Sequence, residues 1–145
     1  MRVSMKVDYG VRALVELAQR YGEGPVPTAD VAAHQNIPEP YLDQLLSILN
    51  KSGLVRSRRG PQGGHMLARP PHEITLEMVM RTLEGTSAPL DCLDEPSECI
   101  LSSACAQRQI WRSVEEAVQS VLSSTSIADL ANRQRQLSTR GLYQI

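Results

Sequence analysis

Between Leu54 and Ala68 the chain changes character. Leu54-Val55-Arg56-Ser57 and His65-Met66-Leu67-Ala68 read as two short strands. They flank Arg58-Arg59-Gly60-Pro61-Gln62-Gly63-Gly64, a connection too long for a two-residue hairpin turn and rich in the residues that punctuate backbone. Nearly everything around this hairpin has helical periodicity. Aromatics and β-branched runs are also few, which favours a helical body around the hairpin.

Val11, Leu14, Val15 and Ala18 recur at helical spacing, which predicts a first amphipathic helix over about 5–20, ended by Tyr21-Gly22-Glu23-Gly24-Pro25. Thr28 is a good N-cap for a short second helix through Ala33, with Asp30 in its first turn, where the helix dipole favours an acid. Asn36-Ile37-Pro38 makes a turn. A third helix follows over about 38–51, burying Leu42, Leu45, Leu46 and Leu49, and Gly53 stops it. After the hairpin, Pro70-Pro71 closes the unit. Thr75 caps a fourth helix with Leu76, Val79, Met80 and Leu83 on one face, ended by Gly85. Residues 86–104 read as irregular. A long helix over about 106–122 carries Ile110, Trp111, Val114, Ala117, Val118, Val121 and Leu122. Ser126 and Asp129 resemble a capping box for a last helix over about 127–137, with a mobile tail after Ser138. The aliphatic core, with no Phe anywhere, suits this mainly α body.

Two helices joined by a tight turn and followed by a basic two-stranded hairpin form a winged helix-turn-helix. That unit lays its second helix in the major groove of DNA. The reading divides the chain into a winged helix-turn-helix over 1–85 (helix-turn-helix about 28–51, wing about 54–68), a cysteine-bearing loop over 86–105, and a long dimerisation helix, short helix and tail over 106–145. Charge agrees. The formal net charge is only −1, but Lys51, Arg56, Arg58, Arg59 and Arg69 fall in one stretch without an acid. Candidate DNA-contacting residues are Thr28, Pro40, Tyr41, Asp43, Gln44, Ser47, Arg56, Arg58, Arg59, Pro61, Gln62, Gly63 and Gly64. Gln44 has the donor and acceptor suited to adenine, and Asp43 can accept from cytosine. Tyr41 and Ser47 can reach phosphates. Arginine beside glycine suits a phosphate or a narrow minor groove. The plainer reading of any one of these residues is ordinary solvated surface, but turn, glycines and acid-free basic run coincide. His34, His65 and His72 are scattered and read as structural or surface residues.

Cys92, Cys99 and Cys105 share one loop, with six residues between the first pair and five between the second. The first ten residues lack the apolar core of a signal peptide, and no stretch approaches the roughly 20 apolar residues that span a bilayer. The expected setting is the cytoplasm, where thiols are ligands or redox sensors more often than disulfides. Clustered thiolates suit an iron–sulfur cluster (2Fe-2S or 4Fe-4S), with one coordination position left for another donor. The spacing lacks the two-residue gap common at zinc sites. A metal-free thiol/disulfide switch stays open, as does an iron–sulfur scaffold or electron carrier. No nucleotide loop, catalytic triad or paired-carboxylate site is visible, so an enzyme is not expected.

Three stretches resemble the winged-helix regulator family that includes IscR, NsrR and RirA. These are Tyr9-Gly10-Val11-Arg12-Ala13-Leu14, the run from Ile37 to Leu46, and above all Gly53 to His65. The resemblance implies a homodimer on a dyad-symmetric, double-stranded operator, acting as a repressor that senses iron, redox or nitric-oxide status. It implies direct DNA contacts by Asp43, Gln44, Arg59 and the Pro61–Gly64 turn, and a cluster on Cys92, Cys99 and Cys105. Some family members add a histidine just after the third cysteine. Here Ala106, Gln107, Arg108 and Gln109 stand there. Others use an acid near the partner's N-terminus, and Asp8 of the partner subunit is at the matching place. The plainer role of Asp8 is a first-turn acid that complements the helix dipole.

Overall fold

The computed structural model describes residues 2–85 and 88–143, so Thr86, where the irregular segment was expected to begin, lies outside it. Helix α1 (Met5–Gln19) is capped by the Ser4 hydroxyl, which accepts from the Val7 N–H, and buries Ala13, Leu14 and Leu17. At Gly10 a methyl group would meet Leu83 at 2.5 Å, so glycine is what lets α1 lie close against the fourth helix. Helix α2 (Thr28–Gln35) ends at Asn36, which takes the left-handed conformation, φ 54°, that asparagine tolerates. Helix α3 (Glu39–Lys51) follows after Pro38 and buries Leu42, Leu45, Leu46 and Leu49, as their spacing requires.

Strands β1 (Val55–Arg58) and β2 (Gly64–Leu67) pair antiparallel, Val55 opposite Leu67 and Arg58 opposite Gly64. A 3-10 turn, Pro71–Glu73, leads to α4 (Leu76–Glu84), capped by Thr75, which buries Val79, Met80 and Leu83. Two short turns, α5 (Asp91–Asp94) and a 3-10 turn at Pro96–Glu98, break up the segment expected to be irregular. Helix α6 (Arg108–Ser124) and helix α7 (Ile127–Tyr143) finish the chain. The capping box forms reciprocally: Ser126 N–H donates to Asp129 at 2.9 Å and Asp129 N–H to Ser126 at 3.1 Å. Where a mobile tail was expected after Ser138, α7 continues to Tyr143, and only 144–145 fall outside the described residues. It packs on α1 and adds Ile127 and Ala131 to the common core. The starts of α4 and α7 are tied together, Leu76 N–H to Thr125 O and Ile127 N–H to Ile74 O. Among the described residues no helix is long and apolar enough to cross a membrane.

Candidate DNA-binding face and cysteine segment

The leucines that bury one side of α3 put Pro40, Asp43, Gln44 and Ser47 in solvent on the other. Tyr41 is only half-buried, with its ring edge-on to Tyr9 at 5.7 Å, so part of its role is to seat α3 on α1. In β1, Val55 turns into the core while Arg56 and Arg58 project from the opposite side. Arg59, Pro61 and Gln62 are exposed at the wing tip. Arg12, Arg20 and Arg81 each have a carboxylate within reach. Arg56, Arg58 and Arg59 have none among the described residues. The wing cations are thus available to an outside anion.

The glycines of the wing have a different first duty from the one expected of them. A methyl group at Gly63 would strike the Arg58 carbonyl, within the turn closed by Gly63 N–H and Gly60 O. One at Gly64 would strike the carbonyl of Val26. The close approach at Gly64 is to the chain's own backbone, just before α2. Val26 and His65 exchange both backbone hydrogen bonds there, at 2.8 Å each.

Thr28 also departs from expectation. The backbone before α2 is capped at Pro27 without any side chain, so Thr28 is the first helical residue. Its hydroxyl lies 2.8 Å from His65 Nε2. On the other side of the ring, His65 Nδ1 is 2.7 Å from Ser57 Oγ, which accepts from Asn50 Nδ2 at 2.8 Å. Burial holds the His65 imidazole below the ordinary histidine value, against a smaller upward pull from the Asp43 carboxylate. From the sequence His65 was expected to be a structural or surface residue, and no local signal announced its partners Thr28 and Ser57. Behind α2, Glu16 is buried at 7% exposure, with its carboxylate 2.7 Å from His34 Nδ1 and accepting from Gln35 Nε2 at 3.0 Å.

Cys92, Cys99 and Cys105 are free and half-buried in a segment whose other residues are mostly exposed. The guanidinium of Arg108, at the start of α6, donates to Cys92 O at 3.4 Å and Ser102 O at 3.5 Å. Among the described residues, two buried polar side-chain atoms lack a partner, Ser102 Oγ and Arg108 Nε, and both are in this segment. No group of three His, Cys, Asp or Glu converges there or elsewhere among those residues. Asp8 is half-exposed and held bidentately by Arg12, at 3.0 and 3.1 Å.

A helix pair with an exposed polar face, flanked by a hairpin of unpaired arginines, defines a winged-helix regulator that binds DNA. The chain belongs to the Rrf2 family, described as iron-dependent transcriptional regulators, which it matches over residues 3–133. CymR of Bacillus subtilis is 39% identical over 132 residues, covering 91% of each chain. IscR of Photorhabdus laumondii is 36% identical over 141 residues, covering 97% of this chain and 85% of that one. Among solved structures, CymR, the global cysteine regulator of B. subtilis, superposes with a TM-score of 0.77 at 37% identity over 92% of this chain and 98% of that one. IscR of T. potens superposes at 0.72, also with 37% identity, over 92% and 88%. The relatives are transcriptional regulators, and this chain is one too, not an enzyme.

Proposed function

We propose that the protein is a homodimeric, cytoplasmic repressor that binds a dyad-symmetric operator and senses iron, redox or nitric-oxide status through an iron–sulfur cluster. The observation that carries the sensing half is the cysteine segment itself. Three free thiols stand beside the two buried polar atoms without partners, Ser102 Oγ and Arg108 Nε. Thiolates are the right donors, and orphaned N–H and O–H groups are what a sulfide-bearing anion takes up. Cys92, Cys99 and Cys105 would hold the cluster, with Asp8 of the partner subunit as the fourth, oxygen ligand. Bound there, the cluster supplies an exchangeable centre that reacts with oxidants and nitric oxide. This chain's residues do the rest. Arg108 ties the segment to the start of α6 through two carbonyls, so a change of segment shape is passed to that helix. The exposed side of α6, with Ile110 and Val121 each 64% exposed and Trp111 and Val114 beside them, supports dimerisation through this helix.

At the DNA face the proposed contacts are Pro40, Tyr41, Asp43, Gln44 and Ser47 from α3 and Arg56, Arg58, Arg59 and 61–64 from the wing, with Thr28 at the head of α2. Asp43, Gln44 and Arg59 read bases and the others position the protein on the backbone. The test is anaerobic purification with iron and sulfide analysis, a visible spectrum and operator affinity before and after cluster removal, on wild type and on Cys99→Ala and Asp8→Ala. Stoichiometric iron and sulfide in wild type, loss in Cys99→Ala, a changed Asp8→Ala spectrum and unequal holo and apo affinities are expected. Equal affinities would overturn the sensing mechanism.

A second reading has its own support. CymR is a global cysteine regulator, and the three thiols here are free and not gathered on one centre. A metal-free thiol switch would leave the anaerobic protein colourless and make operator affinity depend on a disulfide reducible by dithiothreitol.

A further inference from the structure

Besides its backbone pairing with Val26, the wing of this protein is tied to the helix pair by side-chain hydrogen bonds at the His65 ring. His65 sits in β2, opposite Ser57 of β1, and its two nitrogens reach hydroxyls on different elements: Thr28 on α2 at 2.8 Å and Ser57 at 2.7 Å. Ser57 is held in turn by Asn50 on the last turn of α3, at 2.8 Å. The chain Thr28–His65–Ser57–Asn50 therefore joins α2, both wing strands and the C-terminal end of α3. Beneath it, Val26 and His65 exchange two backbone hydrogen bonds, and Gly64 leaves no room for a side chain against Val26. We infer that His65 is a positioning residue for operator binding, its ring fixing the angle of the wing to α3 so that the wing arginines and the α3 side chains meet one duplex together. This rests on the wing contacts proposed above.

The neighbours of the ring suit that role. A neutral imidazole has one donor and one acceptor, and a hydroxyl can serve either, so both bonds form in one tautomer or the other. Charge reaches the ring from α3 through Asp43, while α2 and β1 present the hydroxyls of Thr28 and Ser57. Arg56 and Arg58 lie on the opposite face of β1 from Ser57. The ring is thus a mechanical link that touches none of the wing cations, although its partner Thr28 is itself among the proposed contacts. Losing the link leaves the wing paired, basic and still bonded to Val26, but with its angle to α3 less tightly fixed, and an arginine on a looser wing gives up more freedom when it docks.

The experiment is a double-mutant cycle in operator affinity, with Arg59→Ala and Gln44→Ala each made in wild type and in His65→Ala, and with His65→Gln as the conservative variant. Circular dichroism and a thermal melt establish that each variant is folded before its affinity is read. Expected values are a loss of about tenfold for Arg59→Ala in wild type and of under about threefold in His65→Ala, with the Gln44→Ala loss equal in both. His65→Gln, which keeps a donor and an acceptor, should recover most of the affinity lost in His65→Ala. An Arg59→Ala loss that is the same in both backgrounds overturns the inference while leaving the wing contact standing. No Arg59→Ala loss in wild type overturns the wing contact itself, and the inference with it. Should His65→Ala fail to fold, Thr28→Val and Ser57→Ala cut the same link from either side. Additivity of both with Arg59→Ala would refute the proposal.

Discussion

Consider Arg56, Arg58 and Arg59 replaced by alanine one at a time. All three are exposed, and none has an ion-pair partner among the described residues. In the free protein each guanidinium gives up only water and mobile anions when it meets a phosphate, so its contribution to binding is carried by counterions released from the DNA. Each phosphate contact adds about 0.9 to the slope of log affinity against log salt. In the proposed dimer every wing is present twice, so one substitution should flatten the slope by about 1.8. Between about 50 and about 200 mM salt, a fourfold change, that difference amounts to about twelvefold in affinity. The gap between wild type and variant should therefore narrow by that factor as salt rises.

Fluorescence anisotropy on a labelled operator duplex, titrated at several potassium chloride concentrations, measures the slope directly. Arg81→Ala is the control, because Arg81 is already bound to Glu77 at 2.6 Å on α4 and should leave the slope unchanged. Arg59 can deviate in an informative way. If it reads a base, its loss should persist at high salt and fall unequally on different duplexes. Parallel slopes for wild type and all three variants would refute the reasoning, since free cations on the binding surface cannot contact phosphate without releasing counterions.

Three other outcomes follow from the geometry. Glu16→Ala strips His34 and Gln35 of a buried acceptor and should cost about 1 kcal/mol in urea unfolding, the partners' exposure keeping it at the low end; an unchanged midpoint would make this network dispensable. Because burial lowers the His65 pKa, the folded state binds fewer protons there than the unfolded chain. The stability this gives is full above pH 6.5 and declines as pH falls below it toward the folded value, so the unfolding midpoint of wild type relative to His65→Gln should drop between pH 7.5 and pH 5.5, and a rise would reverse the assignment. Val114→Asp on the exposed side of α6 should give a folded monomer by analytical ultracentrifugation, whereas a persistent dimer would place the interface elsewhere.

The helix pair and wing were legible because local rules fix them. Four leucines at helical spacing can bury only one side of a helix, and that leaves Asp43, Gln44 and Ser47 outside. The capping box and the glycine stops are short-range chemistry, and Ser126 with Asp129 forms as its spacing demands. Thr28 shows the limit of such rules. A hydroxyl at a helix start has two outlets, the local backbone and anything the fold brings near, and here a ring 37 residues away takes it. Nothing in the neighbourhood of Thr28 in sequence announces that ring. The end of α7 was misjudged for a related reason. Its last turns carry few apolar residues, but helix continues from residue to residue once nucleated, and Arg135 reaches back to Gln19 O to hold it on the end of α1.

The cysteine segment was legible as a set of candidate donors and illegible as geometry. Composition told which side chains suit iron, and spacing confined them to one stretch, but convergence depends on backbone that has no periodic signal to read. Arg108 was invisible for the same reason. As a sequence letter it is one more base at the head of a helix. In the fold it donates to two carbonyls of the segment, including that of Cys92, and leaves its Nε–H buried and unanswered. It also gives the segment a mechanical hold on α6, the helix whose apolar side is exposed. Under the proposed sensing mechanism, Arg108 is thereby the residue that would carry a change in the cysteine segment to the rest of the molecule.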